Sequence, residues 1–164
     1  MQNAVGEAQY WRERLKAAER LGELYLSVYC TTKNDWDNIC RIHKKICDLK
    51  VKGKVLDVGC GYGRISKWFD DYTGMDFSED FINKAKQLYP DKNFVVGDAK
   101  KTDFKDKEFD WAVCLSVKGM IEREMGSLEW AKMEYELKRI AKNILLLEYS
   151  TPNEYEVITN NTNS

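Results

Sequence analysis

The stretch VLDVGCGYGR, residues 55–64, places three glycines at alternate positions behind an apolar run. Gly59, Gly61 and Gly63 occupy the turn at which a predicted buried strand ends and a helix is expected to begin. Glycine adopts positive φ at no steric cost and lets a ligand approach the main chain closely. A helix N-terminus also presents unpaired amides. The pattern predicts a ligand on bare amides at this turn, with Asp57 as a nearby acid.

The spacing of these glycines differs from that of a dinucleotide-binding turn. The G-x-G-x-x-G pattern would require glycine at position 64, where this chain has Arg64. Acidic residues also close the next two apolar runs, because YTGMD ends at Asp76 and NFVVGD ends at Asp98. In an open α/β sheet, ligands bind beyond the carboxyl ends of the strands. These acids are therefore expected to face the same ligand as the glycine turn.

Together these segments resemble the motifs of the class I S-adenosylmethionine (SAM) dependent methyltransferases, from about residue 36 to residue 150. An acid followed by G-x-G-x-G is similar to the first motif of that family. The resemblance implies that SAM lies on the glycine turn, that Asp76 accepts hydrogen bonds from both ribose hydroxyls and that Phe77 lies against the adenine. It also implies that Asp98 and Ala99 contact the adenine ring, and it leaves open whether Asp57 lies near the methionine amino group or holds the turn.

The strand FDWAVCLSV resembles the one whose end faces both the methyl donor and the acceptor, so that Cys114, Leu115 and Ser116 could line the site. The cofactor-binding residues implied by the resemblance are Asp57, Gly59, Cys60, Gly61, Gly63, Asp76, Phe77, Asp98, Ala99 and Ser116. Methyl transfer from a sulfonium needs alignment and desolvation more than an activated nucleophile. No catalytic residue is therefore assigned.

Residues for the acceptor are suggested by position alone. Tyr29, Trp36 and Lys118 are the candidates; Tyr10, Trp11, Tyr25, Met120, Glu122 and Arg123 are weaker ones. The one histidine, His43, could act as a general base. It lies about 10 Å along its predicted helix from Trp36, at 1.5 Å per residue, so we favour a structural role.

The elements that would position these residues alternate along the chain. Helices are expected over residues 7–29, over 36–49 with Asp35 as the cap, over 79–89 behind Ser78 and over 128–142 behind Ser127. Apolar runs at 54–59, 72–76, 93–98, 109–116 and 143–149 read as buried strands. The prediction is an α/β fold with a doubly wound, mainly parallel sheet of about five strands.

We expect one domain over residues 1–164: a helical N-terminal cover (1–50), a Rossmann-like core (54–150) and an edge strand or tail (151–164). The family generally continues after the fifth strand with a helix and two more strands, which makes this chain resemble a small member without them. LLLE would then leave an exposed apolar edge. Either YEVIT folds back as an antiparallel edge strand, or the protein forms a homo-oligomer through that edge.

Composition narrows the class of partner and the compartment. Lys and Arg number 26 against 27 Asp and Glu, a formal charge of -1 that favours neither nucleic acid nor an anionic membrane. The five cysteines form no CxxC pair, which favours reduced thiols over disulfides or a zinc site and predicts a cytoplasmic protein. Neither a signal peptide nor an apolar run of about 18 residues is expected.

The function that follows is SAM-dependent methylation of an unidentified small-molecule acceptor. The alternative is a non-catalytic SAM-binding or regulatory protein with a methyltransferase-like core. A third reading, another enzyme of nucleoside ligands such as an aminopropyl transferase, would need a second acidic cluster. LSVKGM stands where amino-methylating DNA enzymes carry an N-P-P-Y type motif, which argues against that class.

Overall fold

The computed structural model of the chain describes residues 4–28 and 32–160. The helices in this part are α1 (Ala4–Leu21), α2 (Lys33–Lys50), α3 (Glu79–Leu88), α4 (Lys118–Met125) and α5 (Ser127–Ile140). The strands are β1 (Val55–Val58), β2 (Tyr72–Asp76), β3 (Asn93–Val96), β4 (Phe109–Leu115), β5 (Ala141–Leu147) and β6 (Tyr155–Thr159). They form one sheet in the order β3-β2-β1-β4-β5-β6, in which β1 to β5 are parallel and β6 is antiparallel. The predicted α/β sheet is confirmed.

Both faces of the sheet are covered, which explains why β1 and β2 are buried along their whole length. On one face, α5 packs Trp130, Met133, Leu137 and Ile140 against side chains that include Leu56 and Ile144. On the other, α2 and α3 pack Cys47 and Ile82 against side chains that include Val55 and Leu145. Strands buried on both sides read as continuous apolar runs, and these are the runs found in the sequence.

The N-terminal region forms a smaller cluster over the glycine turn, with Leu15, Trp36, Tyr62 and Phe81 buried together. The single helix expected over residues 7–29 is wrong, because α1 ends at Leu21 and a 3-10 helix follows at Leu24–Ser27. Gly22, with φ +71°, breaks the run. The cap expected at Asp35 is also wrong, since the Thr32 side chain accepts the Asp35 amide and α2 starts earlier. Ser78 caps α3 as predicted.

Two connections differ from expectation. No α-helix follows the glycine turn, and residues 59–71 form turns and a 3-10 helix at Ser66–Trp68. The connection is about a dozen residues long, which leaves little room for a helix and the turns on either side of it. After β4, in a segment for which no element was predicted, α4 forms and ends at Gly126, whose φ is +94°.

The C-terminal strand covers the apolar edge that β5 would otherwise expose. β6 pairs with β5 in the register Leu145↔Val157, so YEVIT folds back as expected. The edge of β5 through which a homo-oligomer was expected is therefore covered, and self-association itself stays untested. Cys40, Cys47, Cys60 and Cys114 are unpaired thiols. Among the described residues, no helix has both the length and the apolar character to cross a bilayer.

Candidate active site

The glycine turn is tied to the neighbouring strand. Gly59, Gly61 and Gly63 have φ values of +68°, +53° and +81°, so all three positions suit glycine. The amides of Gly59 and Cys60 donate to the Met75 carbonyl at 2.8 and 3.0 Å. The prediction of bare amides at a helix start is therefore wrong for the first residues of the turn, whose amides bind β2.

Asp76 joins the glycine turn to the end of β2. Its Oδ2 accepts the Gly61 amide at 2.9 Å and its Oδ1 accepts the Ser78 amide at 2.9 Å. The side chain is buried, and burial raises the pKa of the carboxyl although these amide hydrogen bonds oppose the rise. A carboxylate offers about four acceptor sites, so two remain for ligand hydroxyls.

The surface beside Asp76 is open. Gly59 and Asp98 are exposed, and Phe77 is 40% exposed. Ala99 is buried behind them. Asp98 Oδ1 accepts the Lys100 amide at 2.9 Å, so this carboxylate shapes its own turn as well. These groups meet at the carboxyl edge of β1 to β3 and leave an exposed apolar surface flanked by acceptors.

Asp57 and Cys60 lie deeper. Asp57 accepts the Tyr72 hydroxyl at 2.7 Å, and this described hydrogen bond reaches β2 instead of the glycine turn. Burial raises the pKa of Asp57 to about 7, against the opposing effects of the Tyr72 hydroxyl and Arg64. Burial also raises the pKa of the Cys60 thiol, whose Sγ lies 3.6 Å from the Gly61 carbonyl oxygen. Cys60 is therefore a packing residue beneath the turn.

Ser116 joins the ends of β4 and β5. Its φ of +56° is rare for a serine, and its amide donates to the Leu147 carbonyl at 2.6 Å. Its Oγ accepts the Tyr149 amide at 2.7 Å. Ser116 thus holds two strand ends together where it faces the cavity next to them.

That cavity has a volume of about 690 Å³ and lies between the ends of β4 and β5, the first turns of α4 and α2, and the turn before β6. Its lining comprises Asp35, Ile39, Ser116, Lys118, Gly119, Met120, Glu122, Arg123, Leu146, Glu148, Tyr149, Ser150, Thr151, Glu154, Tyr155 and Glu156. Val117 connects it to the cofactor side: a Cβ built on Gly59 would lie 2.9 Å from Val117 Cγ2. The cavity and the glycine turn are therefore neighbours.

Only some of the residues expected to bind the acceptor line this cavity. Lys118 lines the cavity, donates to Glu156 at 3.1 Å and lies 5.9 Å from the Trp130 ring centroid. Trp36 is buried outside the cavity lining and packs edge-on against Tyr149, with 5.8 Å between ring centroids. Tyr29 lies outside the described residues. Met120, Glu122 and Arg123 line the cavity, whereas Tyr10, Trp11 and Tyr25 do not.

A buried polar cluster lies under α2. The Arg64 guanidinium carbon is 4.7 Å from the Trp36 ring centroid and 5.6 Å from that of Tyr149, and Nη1 donates to Cys40 Sγ at 3.2 Å. His43 is fully buried, and neither imidazole nitrogen has a partner of normal hydrogen-bond geometry among the described residues. Burial and the charge of Arg64 lower its pKa to about 4, although the Glu148 backbone opposes this. The position supports the structural role over a general base.

Sequence reasoning missed Glu148 and Tyr149. Glu148 Oε1 accepts the Gly119 amide at 3.0 Å, which fixes a carboxylate against the start of α4 and in the cavity wall. The available signal was the one used for Asp76, because LLLE also closes a buried strand with an acid. Tyr149 could not be found this way, since its partners come from α2 and the glycine turn.

Comparisons with known proteins agree with this arrangement. The family model described as "Methyltransferase domain" matches residues 56–143, more than half of the chain. A fatty-acid O-methyltransferase from Mycolicibacterium smegmatis is 36% identical in an alignment 77 residues long that covers 42% of this chain and 28% of that protein.

Solved structures share the fold. The PH0226 protein from Pyrococcus horikoshii superposes with a TM-score of 0.61 at 28% identity, covering 72% of this chain and 59% of that one. Phosphoethanolamine N-methyltransferase 1 from Haemonchus contortus, solved with phosphoethanolamine and S-adenosylhomocysteine, gives a TM-score of 0.66 at 17% identity. That match covers 89% of this chain and 33% of the enzyme. The chain therefore spans less than two thirds of the length of each of these relatives.

Proposed function

The chain belongs to the class I SAM-dependent methyltransferases, and from this premise we propose that it methylates a small molecule held in the cavity beside Ser116. The observation that carries the proposal is the adjacency of two sites. The glycine turn with Asp76 supplies a nucleoside-binding edge, and Val117, which lies in the sequence between the lining residues Ser116 and Lys118, packs against Gly59. A donor on that edge and an acceptor in the cavity would meet near Ser116.

The residues present fit the cofactor. The acceptor capacity left on Asp76 suits a pair of ribose hydroxyls, and the half-exposed Phe77 ring offers an apolar surface for a base. Asp98, which is exposed just after β3, offers an acceptor for the exocyclic amine of a base. The adjacent Ala99 is buried beneath this surface. Gly59, Gly61 and Gly63 remove the side chains that would otherwise fill the turn.

The chemistry requires little beyond alignment from the chain. SAM supplies a methyl group on a sulfonium sulfur, which leaves as a neutral thioether once the methyl carbon is attacked. Ser116 and Val117 hold the ends of β4 and β5 beside the glycine turn, so they fix the distance between the two sites.

A small-molecule acceptor is supported by the size of the cavity. About 690 Å³ lies within the range of ligand pockets for small molecules. The name of the Mycolicibacterium relative points to a carboxylic acid as acceptor, but the likeness is limited to the alignment of 77 residues. We also place the protein in a reducing compartment such as the cytoplasm, on the basis of its unpaired thiols at Cys40, Cys47, Cys60 and Cys114.

The test separates binding from catalysis. Calorimetric titration with S-adenosylhomocysteine should give a saturable isotherm, and SAM should be converted to S-adenosylhomocysteine with at least one member of a broad panel of small acceptors. Binding without turnover of any acceptor would favour the non-catalytic SAM-binding alternative. Absence of binding would refute the proposal.

A pair of variants on α2 locates the acceptor. Ile39 lines the cavity, whereas Leu49 is exposed on the same helix and lies outside the cavity lining. Ile39→Trp should lower turnover by narrowing the cavity and leave S-adenosylhomocysteine affinity unchanged. Leu49→Trp should change neither. Equal turnover in the two variants would place the acceptor elsewhere.

A further inference from the structure

From the charge of the cavity lining we infer that the acceptor is a cation, a small molecule bearing an amine that binds as its ammonium form. This inference rests on the proposed function, which places the acceptor in that cavity. It names the substrate class from the groups that surround the space.

Carboxylates dominate the lining and come from several elements. Five acidic side chains face two basic ones, which gives the lining a net formal charge of −3. The acids are Asp35 of α2, Glu122 of α4, Glu148 after β5, Glu154 before β6 and Glu156 within it. Because they surround the space from different sides, their fields add inside it.

The two cations of the lining already have carboxylate partners. Lys118 forms an ion pair with Glu156 at 3.1 Å, and Arg123 forms one with Glu124 at 2.7 Å. By contrast, no ion pair within 4 Å is found among the described residues for the remaining four acids: Asp35, Glu122, Glu148 and Glu154. The lining therefore has more carboxylates than cations, and a cationic ligand would balance part of that excess, although Asp35, Glu122, Glu154 and Glu156 are also exposed to solvent.

The same field disfavours an anionic acceptor. A carboxylate ligand would face four carboxylates that form no ion pair among the described residues and would find both cations already partnered, and like charges juxtaposed in a site are costly. Tyr149 and Tyr155 add ring faces that attract cations. Lys50 already lies 5.2 Å from the Tyr155 centroid, so this aromatic contribution is secondary to the carboxylates.

Transfer to an amine also needs a proton acceptor, because an ammonium nitrogen has no lone pair. Glu148 is suited to this role, since the Gly119 amide fixes one of its oxygens beside Ser116. After the ammonium releases a proton to Glu148, the nitrogen lone pair forms the new nitrogen–carbon bond and the carbon–sulfur pair stays on sulfur. A primary or secondary amine then carries the positive charge as a methylated ammonium, and the proton on Glu148 returns to solvent.

The experiment compares butylammonium chloride with sodium butyrate, two probes of equal chain length and opposite charge, titrated into protein saturated with S-adenosylhomocysteine. We expect butylammonium to bind at least tenfold more tightly than butyrate. Butyrate binding of equal or greater affinity would overturn the inference, and so would the absence of binding by either probe. The initial S-adenosylhomocysteine titration reports on the proposed function separately, because that ligand binds at the glycine turn.

Matched variants show whether the charge of the cavity lining causes the preference for butylammonium over butyrate. Glu122→Gln combined with Glu154→Gln should weaken butylammonium about tenfold and should not weaken butyrate. Glu13→Gln combined with Asp91→Asn removes the same charge from exposed positions outside the cavity lining and should leave both affinities unchanged. An equal loss of butylammonium affinity in both double variants would assign the effect to net charge and refute the cavity as its source.

Discussion

The Asp76 carboxylate accepts the Gly61 amide at 2.9 Å, so the acid at the end of β2 and the centre of the glycine turn form one unit. The second carboxylate oxygen accepts the Ser78 amide at the same distance, which adds the start of α3 to that unit. The local order of this edge therefore depends on a single side chain, the same one that the proposed function assigns to the cofactor.

Asp76→Asn should lower the affinity for S-adenosylhomocysteine at least about tenfold, because one hydrogen bond to a charged acceptor contributes about 1.5–3 kcal/mol. Asparagine keeps the shape of the side chain but loses one acceptor oxygen and the charge. Calorimetric titration measures the change. Asp80→Asn is the matched control, since Asp80 lies on α3 and pairs with Arg12 at the surface. Unchanged affinity in Asp76→Asn would remove the assignment of Asp76 as the ribose acceptor.

Much of this edge could be predicted because the carboxyl ends of parallel strands meet on one side of a sheet. Buried apolar runs mark β1, β2, β3 and β4, so the residues that close them, Gly59, Asp76, Asp98 and Ser116, had to lie near one another. The same rule would have found Glu148 at the end of β5. Their placement follows from strand order, which alternation with helices already constrains.

Other features depend on contacts that a single sequence does not reveal. Trp36 is buried instead of lining the cavity because Arg64 and Tyr149 pack against it from distant segments. α4 has no buried residue, so it lacks the apolar stripe by which a helix is recognised. The missing helix after the glycine turn was detectable, since the short connection between Val58 and Tyr72 limits what can form there.

Gly63→Ala should destabilise the protein by about 3 kcal/mol, from left-handed backbone strain and overpacking together. At Gly63, φ is +81° and a Cβ would lie 2.7 Å from the Phe94 ring. Gly22→Ala is the control, because Gly22 has φ +71° with nothing within 4 Å of a Cβ. Gly22→Ala should lower the free energy of unfolding by about 1 kcal/mol, because it adds backbone strain without overpacking. Urea unfolding measures the loss of unfolding free energy in each variant. Equal losses in the two would contradict the predicted overpacking of the Gly63→Ala methyl group against Phe94.

Asp57→Asn should change how stability depends on pH. The folded carboxyl has a pKa of about 7 against an ordinary 3.8, so it binds a proton more tightly than the unfolded chain does within that interval. The free energy of unfolding of the wild type should therefore fall as pH rises through the interval, by about 4 kcal/mol at most. The asparagine side chain does not titrate, so the variant lacks this contribution.

Urea unfolding at several pH values gives the difference between the two proteins. Tyr72→Phe is the companion variant, because the Tyr72 hydroxyl lowers the pKa of Asp57 through its hydrogen bond. Removing that hydroxyl should extend the loss of stability to higher pH and make it larger, because the folded pKa of Asp57 rises while its unfolded pKa stays the same. Parallel pH profiles for the wild type and Asp57→Asn would show that burial does not perturb this carboxyl.

His43→Leu should make the protein less sensitive to acid. The buried imidazole has a pKa of about 4 against an ordinary 6.5, so the folded state favours its neutral form. Stability from this group is complete above the unfolded pKa and is lost as pH falls through the interval, by about 3 kcal/mol at most. Leucine removes the titrating group, and the contribution of Asp57 is common to both proteins and cancels in their difference.

Burial sets the direction of this effect, and the charge beside His43 reinforces it. Arg64 remains positive throughout and disfavours a second cation, while the Tyr149 ring stacks on the imidazole with 6.0 Å between centroids. Because His43 is the one histidine of the chain, an NMR titration of tag-free protein reads its imidazole signal without ambiguity. A midpoint near 4 is expected, together with a growing stability advantage of His43→Leu on acidification. A midpoint near 6.5 would mean that the imidazole reaches solvent and that α2 does not seal this cluster.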